Sequence, residues 1–223
     1  MATRETQAKI TNAALALFNQ FGSASVSFEK IASNAGISKG NLHYHFSSKE
    51  QIVMALWSGL DKKINQIHYP LSDLRLPNLS HILIGHFKII WEYRFIYSEL
   101  NFLLAKDPDL QYRFTKERRQ RMEQCSLLLK AMQIQNLLTP NTSDAELQRL
   151  VKTIWVISDY WLGHIAAEGT EITYGVMCEG YELIVQLIRP FLRDPSSVTL
   201  NTKCYETAQS SAQLPLKVAD AAG

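Results

Sequence analysis

The chain has 223 residues, 46% hydrophobic and 20% charged, a composition that supports a packed core and excludes wholesale disorder. Only 10 glycines and 7 prolines occur, so long stretches run without either, which favours helices. The formal net charge of +2 sets aside binding driven by overall charge, although residues 1–63 carry 7 Lys/Arg against 4 Asp/Glu and so form a basic head.

Ile10, Ala13, Ala14, Leu17, Phe18 and Phe21 recur at three- and four-residue spacing, one apolar helical stripe ended by Gly22. Ser27 is the expected N-cap of a short helix whose Ile31, Ala32 and Ala35 face inward. Gly36 and Ile37 make a tight turn, because glycine adopts the positive φ that ends a helix. Ser38 caps another short helix to about His45. Ser47 and Glu50, three apart, read as a capping box that opens a longer helix to about Ile67. Residues 69–78, with Pro70 and Pro77, read as a connection. Helical patterns resume over about 79–105 and, after the Asp107-Pro108 start signal, over about 108–136. Pro140-Asn141 breaks the pattern, Ser143 caps a helix to about Ala167, and a last helix spans about 172–192. No alternating run bounded by hairpin turns occurs, so no strand is expected. From Asp194 the composition shifts to Ser, Thr, Ala and Gln, which reads as a disordered tail.

Cys125, Cys178 and Cys204 are far apart and odd in number, and they read as reduced thiols of a cytoplasmic protein. The opening MATRETQAKI has no apolar run, so no secretion signal is expected. The most apolar stretch, His81 to Ala105, is interrupted by His86, Lys88, Glu92, Arg94 and Glu99, which argues against a membrane span. His43 and His45 stand two apart on a helix and point to different sides, so no metal is expected there. The sequence holds no nucleophile elbow, zincin, phosphate-loop or paired-cysteine motif. Neither an enzyme nor a bound cofactor is expected.

Residues 27–46 read SFEKIASNAGISKGNLHYHF. Two short helices joined by a glycine turn, behind a long apolar helix, make the arrangement that places a recognition helix in the major groove of DNA. The exposed face of that helix carries Lys39, Asn41 and Tyr44. Lysine donates to guanine O6 and N7, asparagine pairs with adenine, and Gly40 lets the backbone come close. The stretch from Ile10 to Leu56 resembles the N-terminal domain of the TetR family of regulators. The resemblance is carried by Ala13, Phe18, Gly22, Ile31-Ala32, Ala35-Gly36-Ile37-Ser38-Lys39-Gly40, Leu42, His45-Phe46 and Ser48-Lys49-Glu50.

That resemblance implies an all-α fold, with a helix-turn-helix DNA-binding domain over 1–47 and a larger helical ligand-binding and dimerisation domain over 48–193, ahead of the tail at 194–223. It implies a repressor that binds a palindromic double-stranded DNA operator as a homodimer and is released by a small-molecule effector. It also makes Lys49, at the start of a helix, a phosphate contact. Two departures from the family pattern stand out. His43 replaces the usual tyrosine that touches phosphate, and Phe28-Glu29 stands where polar or basic residues are frequent. The candidate DNA-binding set is Ser27, Ser38, Lys39, Gly40, Asn41, His43, Tyr44 and Lys49. The alternative is a helical ligand-binding or adaptor protein that no longer binds DNA, which His43 and Glu29 favour.

In the 79–105 helix, His86, Arg94, Tyr97 and Asn101 are the candidate polar groups of a ligand pocket with aromatic and aliphatic walls. Arg113, Lys116, Arg118, Arg119 and Arg121 form a basic run that reads as a solvated helix face. The last two helices are apolar over much of their circumference and so must bury two sides. In the family the equivalent helices pair between subunits, which makes Ile154, Trp155, Trp161, Tyr181, Ile184 and Ile188 the candidate dimer interface.

Overall fold

The computed structural model describes residues 2–67 and 76–197, which form ten α-helices. The head consists of α1 (Ala2–Phe21), α2 (Phe28–Asn34) and α3 (Lys39–His45), and α4 (Lys49–Asn65) leads from it into the body. Serine hydroxyls start three of these helices, each accepting an otherwise unpaired amide. Ser27 accepts from the Lys30 amide at 3.2 Å, Ser38 from Asn41 at 3.1 Å and Ser48 from Gln51 at 3.3 Å. The cap of α4 is therefore Ser48, one residue beyond the expected Ser47, whose own amide donates to Gln51 Oε1 at 2.9 Å. Gly36 ends α2 at φ +66°, and the Ile37 amide closes back on the Ala32 carbonyl at 3.0 Å.

The body consists of α5 (Leu76–Glu92), α6 (Arg94–Ser98), α7 (Leu100–Lys106), α8 (Pro108–Ile134), α9 (Asp144–Ala167) and α10 (Tyr174–Ile188). The expected single helix over 79–105 is broken twice, at Tyr93 (φ −108°, ψ 29°) and at Glu99 (φ −112°, ψ 15°). The reason lies in the head. Asn19 of α1 donates to the Glu92 carbonyl at 2.7 Å and accepts from the Phe95 amide at 3.1 Å, so its side chain serves backbone groups at the first break. At the second, the Glu99 carboxylate accepts from the Ser23 amide at 2.8 Å and from the Ser23 hydroxyl.

Asp107 caps α8 through the amides of Asp109 and Leu110, with Pro108 at the first position as expected. Ser143 and Glu146 form a complete capping box on α9. Among the described residues there is no strand. An isolated bridge pairs Leu138 with Leu192 and ties the α8–α9 loop to the segment after α10. The tail expected from Asp194 lies outside the described residues from 198 onward, and Pro195–Ser197 form a 3-10 turn.

One continuous apolar core runs from Ile10, Phe18 and Leu42 in the head, through Trp57 and Leu60 of α4, to Phe95, Tyr181 and Val185 in the body. Helix α9 packs against α6, α8 and α10. A Cβ at Gly180 of α10 would run into the Trp161 indole. Glycine there lets α9 and α10 close until Trp161 Nε1 donates to the Val176 carbonyl at 2.8 Å. No described helix is long and apolar enough to cross a membrane.

Candidate nucleic-acid interface and internal cavity

Helix α3 buries only Leu42 and turns Lys39, Gly40, Asn41, His43 and Tyr44 outward, with Tyr44 82% exposed. Nothing lies within 4 Å of a Cβ built at Gly40, so the backbone there is open to a close approach. The exposed face read from the sequence is thus an exposed face in the fold. Ser27 and Ser38 are exposed too, but their hydroxyls are engaged as helix caps.

The two departures from the family pattern meet across the turn. The Phe28 ring stacks on the His43 imidazole, centroids 4.7 Å apart and planes 27° from parallel. Glu29 accepts an ion-paired hydrogen bond from Lys39. That bond, together with its own backbone amide, holds the Glu29 carboxyl down to about 2. Helix α2 therefore positions two side chains of the recognition helix.

Lys49 turns inward. Its ammonium donates to the carbonyls of Ser23 at 2.8 Å, Val26 at 3.1 Å and Ala24 at 3.4 Å, bracing the loop between α1 and α2. A side-chain contact from Lys49 to phosphate requires breaking that brace. Next to it, Glu50 pairs with Lys106 of α7 at 2.7 Å, which lowers its carboxyl to about 2 and adds a contact between head and body.

The body encloses a cavity of about 100 Å³ between α4, α5, α6, α8, α9 and α10. Its walls include Ile82, Phe87, Ile90, Leu128, Leu129 and Ile184, and its polar members are His86, Tyr97, Arg121, Ser158 and Asp159. Of the four candidate ligand residues, His86 and Tyr97 line it. Burial pushes the His86 ring down and the Tyr97 phenol up, so both present neutral groups. His86 Nδ1 lies 3.0 Å from the Ile82 carbonyl. Arg94 and Asn101 do not line the cavity. Arg94 sits over the Trp91 ring, 4.4 Å from its centroid, on the side facing α1, and Asn101 is exposed on α7. The break at Tyr93 reorients this stretch, so residues that share a face in one straight helix do not share one here.

Two cavity residues escaped the sequence reading. Arg121, taken as part of a solvated face, is 7% exposed and pairs with Asp61 of α4. Glu117, one turn earlier, accepts from Trp57 Nε1 of α4 at 2.7 Å and stands 3.8 Å from Arg121. Asp159, 2% exposed, lies 2.9 Å from Arg118 Nε, yet burial raises its carboxyl to about 6. The signal was spacing. Arg121 falls midway between Phe114 and Leu128, both buried, and Asp159 lies between Trp155 and Leu162 on one stripe of α9.

Of the candidate dimer residues, Ile154, Tyr181, Ile184 and Ile188 are buried within the single chain, and Ile154, Trp155, Ile184 and Ile188 line the cavity. Trp161 is held by Gly180 and the Val176 carbonyl. Within the chain α9 packs on α6, α8 and α10, and α10 also on α5. Exposed on these helices are Val156, Tyr160 and Leu183.

Comparison with known proteins gives two family matches. Residues 10–56 match the model described as bacterial regulatory proteins of the tetR family, and residues 61–200 match TetR, a bacterial transcriptional repressor. The helix-turn-helix transcriptional regulator AcrR of Shigella flexneri is 33% identical over 89 residues; the match covers 36% of this chain and 41% of that regulator's length. Among solved structures, a transcriptional regulator from Marinobacter aquaeolei superposes with a TM-score of 0.73 at 20% identity, covering 90% of this chain and 97% of its own. SmeT, the repressor of the Stenotrophomonas maltophilia multidrug efflux pump SmeDEF, superposes at 0.62 with 16% identity, covering 91% of this chain and 97% of its own. SmeT also has a structure in complex with triclosan.

Proposed function

We propose that this chain, which belongs to the TetR family of bacterial transcriptional regulators, binds an inverted-repeat operator as a homodimer and is released when a small molecule fills the cavity between α4 and α10. The chain is a DNA-binding regulator. The observation that carries the operator reading is α3, which buries one residue and offers Lys39, Gly40, Asn41, His43 and Tyr44 to the outside. Two such helices, related by a two-fold axis, would enter successive major grooves. The exposed Val156, Tyr160 and Leu183 on α9 and α10 are the surface we assign to the partner subunit.

The effector acts through α4, which starts beside the head and ends against the cavity wall at Ile64. It must bind the DNA-incompetent arrangement more tightly than the other, or it shifts nothing. That SmeT, a protein of similar fold, forms a complex with triclosan supports the reading that this chain also takes a small molecule. We assign the protein no catalysis and place its action on DNA in the cytoplasm. One observation favours the adaptor alternative: α2 engages both Lys39 and His43.

The test is selection of bound duplexes from a random pool at two salt concentrations, with the parent chain and with Lys39→Ala/Asn41→Ala. An inverted repeat enriched by the parent alone, with affinity falling as salt rises, supports the reading. If no duplex is enriched, with or without cell extract, the adaptor reading takes its place.

A further inference from the structure

We infer that the cavity takes an aliphatic carboxylic acid, whose carboxylate replaces Asp61 on Arg121 and thereby cuts a tie between α4 and α8. This deepens the effector reading above and rests on it for its consequence, not for the binding itself. The walls set the body of the ligand: Ile82, Leu83, Ile90, Leu128 and Ile184 offer aliphatic surface and few polar partners.

The buried nitrogens set its head. Of the buried polar atoms with no hydrogen-bond partner among the described residues, three belong to cavity-lining side chains: Arg121 Nε, Trp155 Nε1 and Asp159 Oδ2, and the last already stands 2.9 Å from Arg118 Nε as its ion pair, which leaves the two nitrogens. Both atoms can only donate. A group that satisfies them must accept, and a carboxylate fits a guanidinium in a two-pronged geometry.

Charge selects exchange over addition. Arg121 already pairs with Asp61 and has Glu117 3.8 Å away. A further anion beside these two carboxylates, with Asp159 on the same cavity wall, is repelled unless one of them gives way. Asp61 is the partner able to leave, since its side chain is 23% exposed and accepts from Asn65 at 2.9 Å on its own helix. A neutral ligand gives no such exchange, because displacing Asp61 would strand a buried guanidinium. An acid that takes Arg121 leaves the Asp61 end of α4 tied to α8 only through the neighbouring contacts, chiefly Trp57 to Glu117.

The probes are straight-chain carboxylates from butanoate to octanoate, short enough for a cavity of about 100 Å³, with the matching primary alcohols and alkylamines. Calorimetry on the full chain without DNA reads binding, and release from a selected operator is measured separately. Carboxylates are expected to bind at least about tenfold more tightly than alcohols, and amines not to bind. Asp61→Asn removes the competitor for Arg121 and should tighten carboxylate binding by about tenfold, a gain that misfolding cannot imitate. Arg121→Gln should bind acids and alcohols alike. Alcohols or amines that match the acids on the parent chain, or an Asp61→Asn variant that binds acids no more tightly, overturn the assignment. Acid binding with no selectable operator keeps the assignment and sinks the repressor reading; operator binding without acid binding does the reverse.

Discussion

The Asn19 side chain reaches from α1 to the Glu92 carbonyl, 2.7 Å away, and to the Phe95 amide at 3.1 Å, so one residue of the head serves both sides of a break in the body. Asn19→Ala strips partners from two part-buried backbone groups. It should destabilise the chain by about 2–4 kcal/mol, with each stranded group contributing roughly 1–2. Urea titration reads this. A loss under about 0.5 kcal/mol would mean that water or a continuous helix replaces the side chain.

Glu29 holds Lys39 away from full freedom at the surface proposed to meet DNA. Glu29→Gln releases the ammonium and removes a negative charge from that surface. Affinity for DNA of any sequence should rise, and the slope of log affinity against log salt should steepen by about 0.9 if one more phosphate is engaged. An unchanged slope with unchanged affinity would show that the pair has no bearing on DNA.

Lys49 gives the contrasting case. Because it braces the carbonyls of Ser23, Ala24 and Val26, Lys49→Met should cost stability, about 1–3 kcal/mol, while leaving the salt slope of DNA binding as it was. A slope shallower by about 0.9 would instead return Lys49 to the phosphate-binding role that the sequence suggests.

The Phe28 and His43 rings should couple energetically. Phe28→Ala is expected to cost about 1 kcal/mol, and a double-mutant cycle with His43→Ala should return a coupling of about 0.5–1.5 kcal/mol. Thermal or urea unfolding of the four proteins decides it. A coupling of zero means the rings merely lie close.

Asp159 makes stability depend on pH in an unusual sense. Its carboxyl is raised by burial from 3.8 to about 6, so between those values the folded chain binds more protons than the unfolded one. Stability from this group therefore grows as pH falls through about 6, by on the order of 2 kcal/mol, and Glu117, also raised by burial, adds in the same direction. Asp159→Asn should be more stable than the parent at neutral pH, with the gap closing as pH falls from about 6 toward 3.8. Urea midpoints that diverge as pH falls would refute the assignment of that burial penalty.

The head was legible because its signals are local. Serine caps, the Gly36 turn and the stripe from Ile10 to Phe18 each act within a few residues, and the helices fall where those signals put them. What escaped the sequence depends on partners far along the chain. Nothing between His81 and Ala105 marks a break, since the groups that make it possible sit on Asn19 and Ser23. The wide apolar stripes of α9 and α10 were legible in the sequence. Which surfaces bury them is set by packing, and α5, α6 and α8 supply them within one chain. Arg121 was legible in spacing alone, and its charge hid it.

The breaks at Tyr93 and Glu99 make the head a splint on the body. The sequence from α5 to α7 carries the periodicity of one long rod, and the docked head keeps that rod in three pieces. A swing that pulls Asn19 and Ser23 away would strip both breaks of the partners that serve them. The bends of the body thus carry the docked position of the head, and in the full chain Asn19→Ala with Ser23→Ala is expected to gain helical signal in circular dichroism, an unchanged signal meaning that the bends stand without the head.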